Sequence, residues 1–179
     1  MSAEPVTASR PWDVALLRET GFFGFHSVSH LQRTRCLDVP VERGVYAIVR
    51  DTDLPPEFME KSVGGWYRQK DPSVPVEELK ASWVDGAQVI YIGRARGPGV
   101  RNLLQQRVKR LVRFGQGKAI AHLGGRYVWQ LRDHVALRVA WRPAAEDEDP
   151  ATTEASMLAE FKARHGKLPF ANLREEDAE

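Results

Sequence analysis

Cysteine is nearly absent from this chain: Cys36 is the only one in 179 residues. That excludes a disulfide framework, and any zinc site built from several thiolates. Long apolar runs are missing as well. No stretch approaches the roughly 18 uninterrupted apolar residues that a membrane span requires, so no membrane partner is expected. The opening MSAEPVTASRPWD has no apolar block after a basic start. No secretory signal is therefore expected, and the expected compartment is the cytoplasm. The most informative absence is of negative charge, because from Gly86 to Arg132 there is neither Asp nor Glu.

The same window holds ten cations: Arg94, Arg96, Arg101, Arg107, Lys109, Arg110, Arg113, Lys118, Arg126 and Arg132. The whole chain has a formal net charge of +2, so the remainder carries a net −8. Such an uneven field argues about partners, since phosphates are bound largely through Lys and Arg. The expected partner is nucleic acid, DNA ahead of RNA. The alternative is a solvated face whose cations pair with acids from elsewhere in the fold. With 42% hydrophobic and 28% charged residues, the composition is that of a globular chain large enough for one cored domain.

The pattern along the chain predicts an α/β protein of the α+β type. Residues 1–12 mix Ser, Thr, Pro and Glu without a period and are expected to be a loose arm. Val14, Leu16 and Leu17 suggest a short helix, followed by a turn in GFFGF. His26 and His30 are four apart, but no carboxylate or cysteine accompanies them nearby, so they are expected to be surface or core histidines rather than metal ligands. Segments 43–50 (RGVYAIVR) and 88–93 (QVIYIG) read as two paired strands, with the Pro- and Gly-rich insertion 51–86 looping out between them. A turn or two of helix is expected around Glu77–Trp83. After Gly99, Leu104, Val108, Leu111 and Val112 form one helical apolar stripe. Lys109 and Arg113 point away from that stripe, and Arg107 lies on its edge. Segments 124–131 (GGRYVWQL) and 135–141 (VALRVAW) read as two more strands, and EDEDP (146–150) as a solvated acidic turn. A last helix is expected from an N-cap at Thr152 or Thr153 through Met157, Leu158 and Phe161, stopping at Gly166 with Pro169 beyond. The REEDAE tail, 174–179, is expected to be disordered.

Each motif is weak alone, but their order is not. GVY (44–46), YIG (91–93), LQQRVKRL (104–111), EASMLAEF (154–161) and PFAN (169–172) together resemble the GIY-YIG nuclease superfamily. YIG matches that family's second motif identically, and GVY differs from the first by one Ile-to-Val change. The resemblance covers about residues 43–173 as a nuclease domain and leaves 1–42, an extension packing on the core, and most of 51–86 unaccounted for. It implies a small antiparallel sheet flanked by helices, and metal-dependent endonuclease activity on phosphodiester bonds with Mg²⁺ or Mn²⁺ as cofactor. By position it implies a catalytic set of Tyr46, Tyr91, Arg107, Glu154 and Asn172. Glu154 is the implied metal ligand, preferred to Glu160 because Met157 and Leu158 follow it three and four residues later. The segment RARGPGVRN lengthens the path from Gly93 to Arg107 relative to compact members.

Phosphodiester hydrolysis needs an activated nucleophile, a counter-charge for the pentavalent phosphate and help for the leaving oxygen. Arg107 suits the phosphate because it offers two donors in a fixed fork. Tyr46 would act as general base or position the water. A phenol titrates near 10, so a base role requires a fall of about 2 to 3 units from adjacent positive charge. His122 is either a phosphate or proton-transfer contact or a structural histidine. Arg94, Arg96, Arg101, Lys109, Arg113, Lys118 and Arg126 are expected on the nucleic-acid backbone, which carries affinity without sequence information. Trp66, Tyr67 and Trp129 would either stack on bases or fill the core. Two non-catalytic readings stand beside the enzyme: a nucleic-acid-binding module that keeps the fold and basic face, and a domain whose basic face meets an acidic protein.

Overall fold

A computed structural model describes residues 12–96, 103–121 and 124–173. The 174–179 tail and all of the N-terminal arm except Trp12 lie outside the described residues. Trp12 itself is not loose. It is buried, its ring meets Phe161 edge-on at 5.5 Å, and its carbonyl accepts from the amides of Gln88 and Val89.

In chain order the elements are α1 (Val14–Glu19), β1 (Phe23–Ser27), α2 (Val28–Thr34), β2 (Gly44–Val49), α3 (Val76–Ser82), β3 (Val89–Ala95), α4 (Leu104–Gly115), β4 (Arg138–Pro143) and α5 (Pro150–His165). The four strands form one antiparallel sheet in the order β1-β4-β2-β3. This is the expected α+β architecture, a small antiparallel sheet flanked by helices. β2 is buried along its whole length because both its faces are covered. On one face Tyr46, Ile48 and Tyr91 pack with α2, α4 and Trp129; on the other Val45, Ala47 and Ile92 pack with α1 and α5. A bulge leaves Ile90 without a partner on β2, since Ile48 pairs with Tyr91 and Val49 with Val89. Regular pairing puts Tyr91 on the Tyr46 face, and the bulge adds Ile90 to that face while Val89 turns to the other.

α4 begins without a side-chain cap. Its first amides, Leu104 and Gln105, donate instead to the carbonyls of Glu42 and Pro40 at 2.8 and 3.0 Å. The loop entering β2 therefore fixes where α4 starts. On the outer edge of β3, the amide of Ala171 donates to the Ile90 carbonyl. The Asn172 side chain accepts from Ile92 N at 2.9 Å and donates to Ile92 O at 2.8 Å.

Several expected elements differ. Segment 124–131 is not a strand but a buried 3-10 turn over Arg126–Gln130. Gly125 enters it at φ +74°, and its backbone bonds go to the 51–86 insertion rather than to the sheet: Met59 N and Val63 N donate to the carbonyls of Gln130 and Trp129. The Gln130 side chain accepts from Val74 N and donates to the carbonyls of Met59 and Val74. The insertion is thus stitched to the core and does not loop out, while α3 falls near the expected 77–83. The first part of 135–141 is likewise a short 3-10 turn, His134–Ala136, with β4 starting only at Arg138. GFFGF supplies most of β1 rather than a turn. Gly24, at φ +94°, allows the close approach, for a Cβ there would lie 2.5 Å from the Trp141 ring. The N-cap of α5 is neither Thr152 nor Thr153 but Asp149, which accepts from Ala151 N with Pro150 in the first turn. The acidic turn is also not simply solvated, since Glu148 bonds Arg142 and Thr153.

Candidate active site

Tyr46 lies in the central strand and Tyr91 in its neighbour, and their rings approach to 5.9 Å. Gly93, directly opposite Tyr46 in the register, makes room for it. A Cβ on Gly93 would sit 2.6–2.9 Å from the ring and hydroxyl of Tyr46. The glycine of YIG is therefore the floor on which the tyrosine of GVY rests. Gly93→Ala is expected to destabilise the fold by about 1–3 kcal/mol through this overlap. Urea unfolding reads it, and a change below about 0.5 kcal/mol would be inconsistent with the packing.

Both phenols are buried. Burial pushes Tyr46 above its ordinary value, the Arg107 guanidinium and then the Tyr91 hydroxyl pull it back, and Glu154 adds to the rise. Burial and then Tyr46 push Tyr91 well above 10, with Glu154 adding to the rise and Arg107 opposing it. The Tyr46 hydroxyl makes no hydrogen bond of normal geometry, though Tyr91 is near enough to act on it. At neutral pH both hydroxyls carry their protons and are donors. The downward shift that a base role for Tyr46 requires is not supplied by Arg107.

Arg107 is half-buried on α4, and its Nε is enclosed without a hydrogen-bond partner among the described residues. Glu154, in the second turn of α5, is buried and paired with Arg94 of β3. Tyr46, Tyr91 and Arg107 thus gather on the α4 side of the sheet, while Glu154, held by Arg94 on the α5 side, is near enough for its charge to act on both tyrosines. Asn172 does something else, since both polar ends of its side chain hold Ile92, next to Tyr91. It also lines a groove of about 680 Å³ with Arg126, Tyr127, Lys162, Lys167 and Phe170; none of the other four reaches that groove. Glu160 lies apart, lining a separate hollow between α1 and α5 with Trp12 and Phe22.

The basic window divides into two sets. Arg94 pairs with Glu154, Arg96 with Asp149 at 3.8 Å and Arg132 with Glu57 at 2.9 Å. Arg107, Lys109, Arg110, Arg113 and Lys118 form no ion pair among the described residues. Arg113 and Lys118 are exposed, whereas Lys109 is half-buried and close enough to act on Cys36. Arg126 lies over the Tyr127 ring at 5.6 Å. Arg101 and His122 fall outside the described residues. Trp129 is core, Tyr67 is half-buried and Trp66 is exposed. Burial pushes the Cys36 thiol up to about 11, which makes it an inert core residue rather than a nucleophile.

No protein-family model matches the chain, and no curated protein or solved structure matches it either. No helix among the described residues is long and apolar enough to cross a membrane. The site rests on its own geometry.

Sequence reasoning placed Arg94 among the phosphate contacts and missed that it faces Glu154. Alternation along β3 carries the signal, since residue 94 shares a face with Ile92, which packs under α5. It also took His26 and His30 to lack a carboxylate. Asp38 supplies one, its Oδ2 lying 2.8 Å from His30 Nε2. No spacing rule reveals it, because the chain is brought back by two consecutive residues at positive φ, Arg35 and Cys36.

Glu154 is one hard oxygen donor, buried and already paired with Arg94. Its charge reaches both tyrosines, and a hard cation there would be held by this one carboxylate, with water supplying the remaining ligands. Arg94 shares that carboxylate and would compete for it.

Proposed function

We propose that this chain is a metal-dependent endonuclease of the GIY-YIG type, hydrolysing phosphodiester bonds in DNA, with RNA as the lesser substrate. One observation carries the reading: two buried tyrosines from neighbouring strands lie close enough to feel the charge of both an arginine on α4 and a buried glutamate on α5. The Nε of that arginine has no hydrogen-bond partner among the described residues. Arg107 directs its fork at the scissile phosphate and balances the charge that grows on its non-bridging oxygens. Tyr46, protonated, orients the attacking water by hydrogen bonding rather than taking its proton, and Tyr91 holds Tyr46 in place. Glu154 would hold Mg²⁺ or Mn²⁺, which supplies Lewis-acid stabilisation of the leaving oxygen. Asn172 acts indirectly, by fixing the strand that carries Tyr91.

The unpaired cations on and after α4 would hold the backbone. Lys109→Gln, Arg113→Gln and Lys118→Gln should each flatten the dependence of log K on log salt by about 0.9 for duplex DNA, without changing sequence preference. A slope that stays constant across all three variants would move the interface elsewhere.

A second reading has one observation in its favour. Arg94 already neutralises Glu154, as would suit a nucleic-acid-binding module that cleaves nothing. Mg²⁺-dependent cleavage of branched, nicked, single-stranded and duplex forms, with wild type and Glu154→Ala, separates the two. Cleavage by wild type, and its loss in Glu154→Ala with binding retained, supports the nuclease. Tight binding by wild type with no cleavage of any form favours the module.

A further inference from the structure

A second cluster lies away from these tyrosines, at the far edge of the sheet. His26 stands on β1, His30 on α2 and Asp38 in the turn after α2. One ligand atom from each, two imidazole nitrogens and a carboxylate oxygen, lies within 4.8 Å of both others. Among the described residues, no other group of three His, Cys, Asp or Glu side chains converges in this way.

Three local features bring them together. A bulge at Phe25 shifts the β1–β4 register between Gly24 and His26, which turns the histidine onto the face shared with Trp141. Ser27 then caps α2, its Oγ accepting from His30 N at 3.1 Å, so that His30 comes round beside His26. The two rings lie nearly parallel with centroids 4.5 Å apart. Finally Arg35 and Cys36, at φ 54° and 60°, reverse the chain and bring Asp38 back to His30. Trp141, stacked on His26 at 5.6 Å, gives the cluster an apolar wall. All three ligand side chains also reach solvent, which leaves an entry path.

We propose that His26, His30 and Asp38 form a binding site for one divalent transition-metal ion of the zinc class, with water completing the coordination. Two imidazoles and one carboxylate are borderline ligands that suit Zn²⁺, whereas Mg²⁺ takes oxygen. At bond lengths of about 2.0–2.1 Å, tetrahedral ligand atoms lie about 3.4 Å apart, so separations of up to 4.8 Å close on binding while the 2.8 Å between His30 Nε2 and Asp38 Oδ2 opens slightly. The ion ties β1 to the α2 turn. The site is independent of the nuclease reading, because none of its residues belongs to the tyrosine cluster.

The test uses the full chain without a histidine tag, and Co²⁺ as the spectroscopic probe. Wild type should develop a visible d–d absorption band that saturates at one equivalent and is bleached by Zn²⁺. His26→Gln, His30→Gln and Asp38→Asn should each weaken binding at least tenfold, on the order seen when metal ligands or their partners are lost. Excess Zn²⁺ should raise the wild-type Tm by on the order of 5 °C and leave the variants unmoved. Absence of a Zn²⁺-displaceable band in wild type overturns the proposal, whatever the variants do. So does an unchanged band in all three variants.

Discussion

Arg107→Ala should lower the cleavage rate by on the order of 10²- to 10³-fold while changing affinity for nucleic acid little. The asymmetry follows from its surroundings. Lys109, Arg113 and Lys118 remain to hold the backbone, but Arg107 is the cation that pulls down on both Tyr46 and Tyr91. Its enclosed Nε makes no hydrogen bond among the described residues, which leaves that donor unsatisfied until the site is filled. Arg107→Lys should recover only part of the rate, because an ammonium keeps the charge and loses the fork. Single-turnover kinetics beside equilibrium binding reads both numbers. A variant that loses affinity and rate in equal measure would make Arg107 a binding contact and remove it from the chemistry.

Gln130→Ala should cost about 3 kcal/mol or more and lower Tm by roughly 6–12 °C. Gln130 is fully buried, and its amide makes three bonds to the backbone of the 51–86 insertion. Truncation leaves Val74 N and the carbonyls of Met59 and Val74 without these partners at once, and opens a cavity beneath the insertion. Gln130→Glu offers a complementary measure, for it retains the acceptor but loses the two donor bonds and brings a charge into the core. Thermal and urea unfolding of both variants checks the assignment. If Gln130→Ala cost under about 1 kcal/mol, the insertion would be held by other contacts.

The central strands and α4 were legible because their apolar periods are long and uninterrupted. Val45 to Val49 and the Leu104, Val108, Leu111 stripe are buried as their spacing requires. The tyrosines and Arg107 were named by the family resemblance, and the periods supplied only the regular elements on which they sit. Segment 124–131 misled because Tyr127, Val128 and Trp129 have strand-forming side chains, while the backbone obeys Gly125 and the insertion's demand for partners. Gln130 was the clue that local propensity overrode. The α5 cap was missed because Pro150 suits the first helical turn, which makes Asp149 the better cap than either threonine. Asp38 and the Ile90 bulge had no local signature at all. Each depends on a backbone departure that becomes visible only when the chain is folded.

The seal that Ala171 and Asn172 place on β3 bears on solubility. Val89 to Ile92 is an apolar run of high strand propensity, at the end of the sheet where a free row of amides and carbonyls would invite other copies to stack. A short irregular stretch occupies that row with one backbone bond and one asparagine amide, and offers no continuing ladder of its own. Asn172 thereby fills both the amide and the carbonyl of Ile92, which an added strand would otherwise use. A chain clipped ahead of Phe170 would uncover the tyrosine-bearing strand as an aggregation seed.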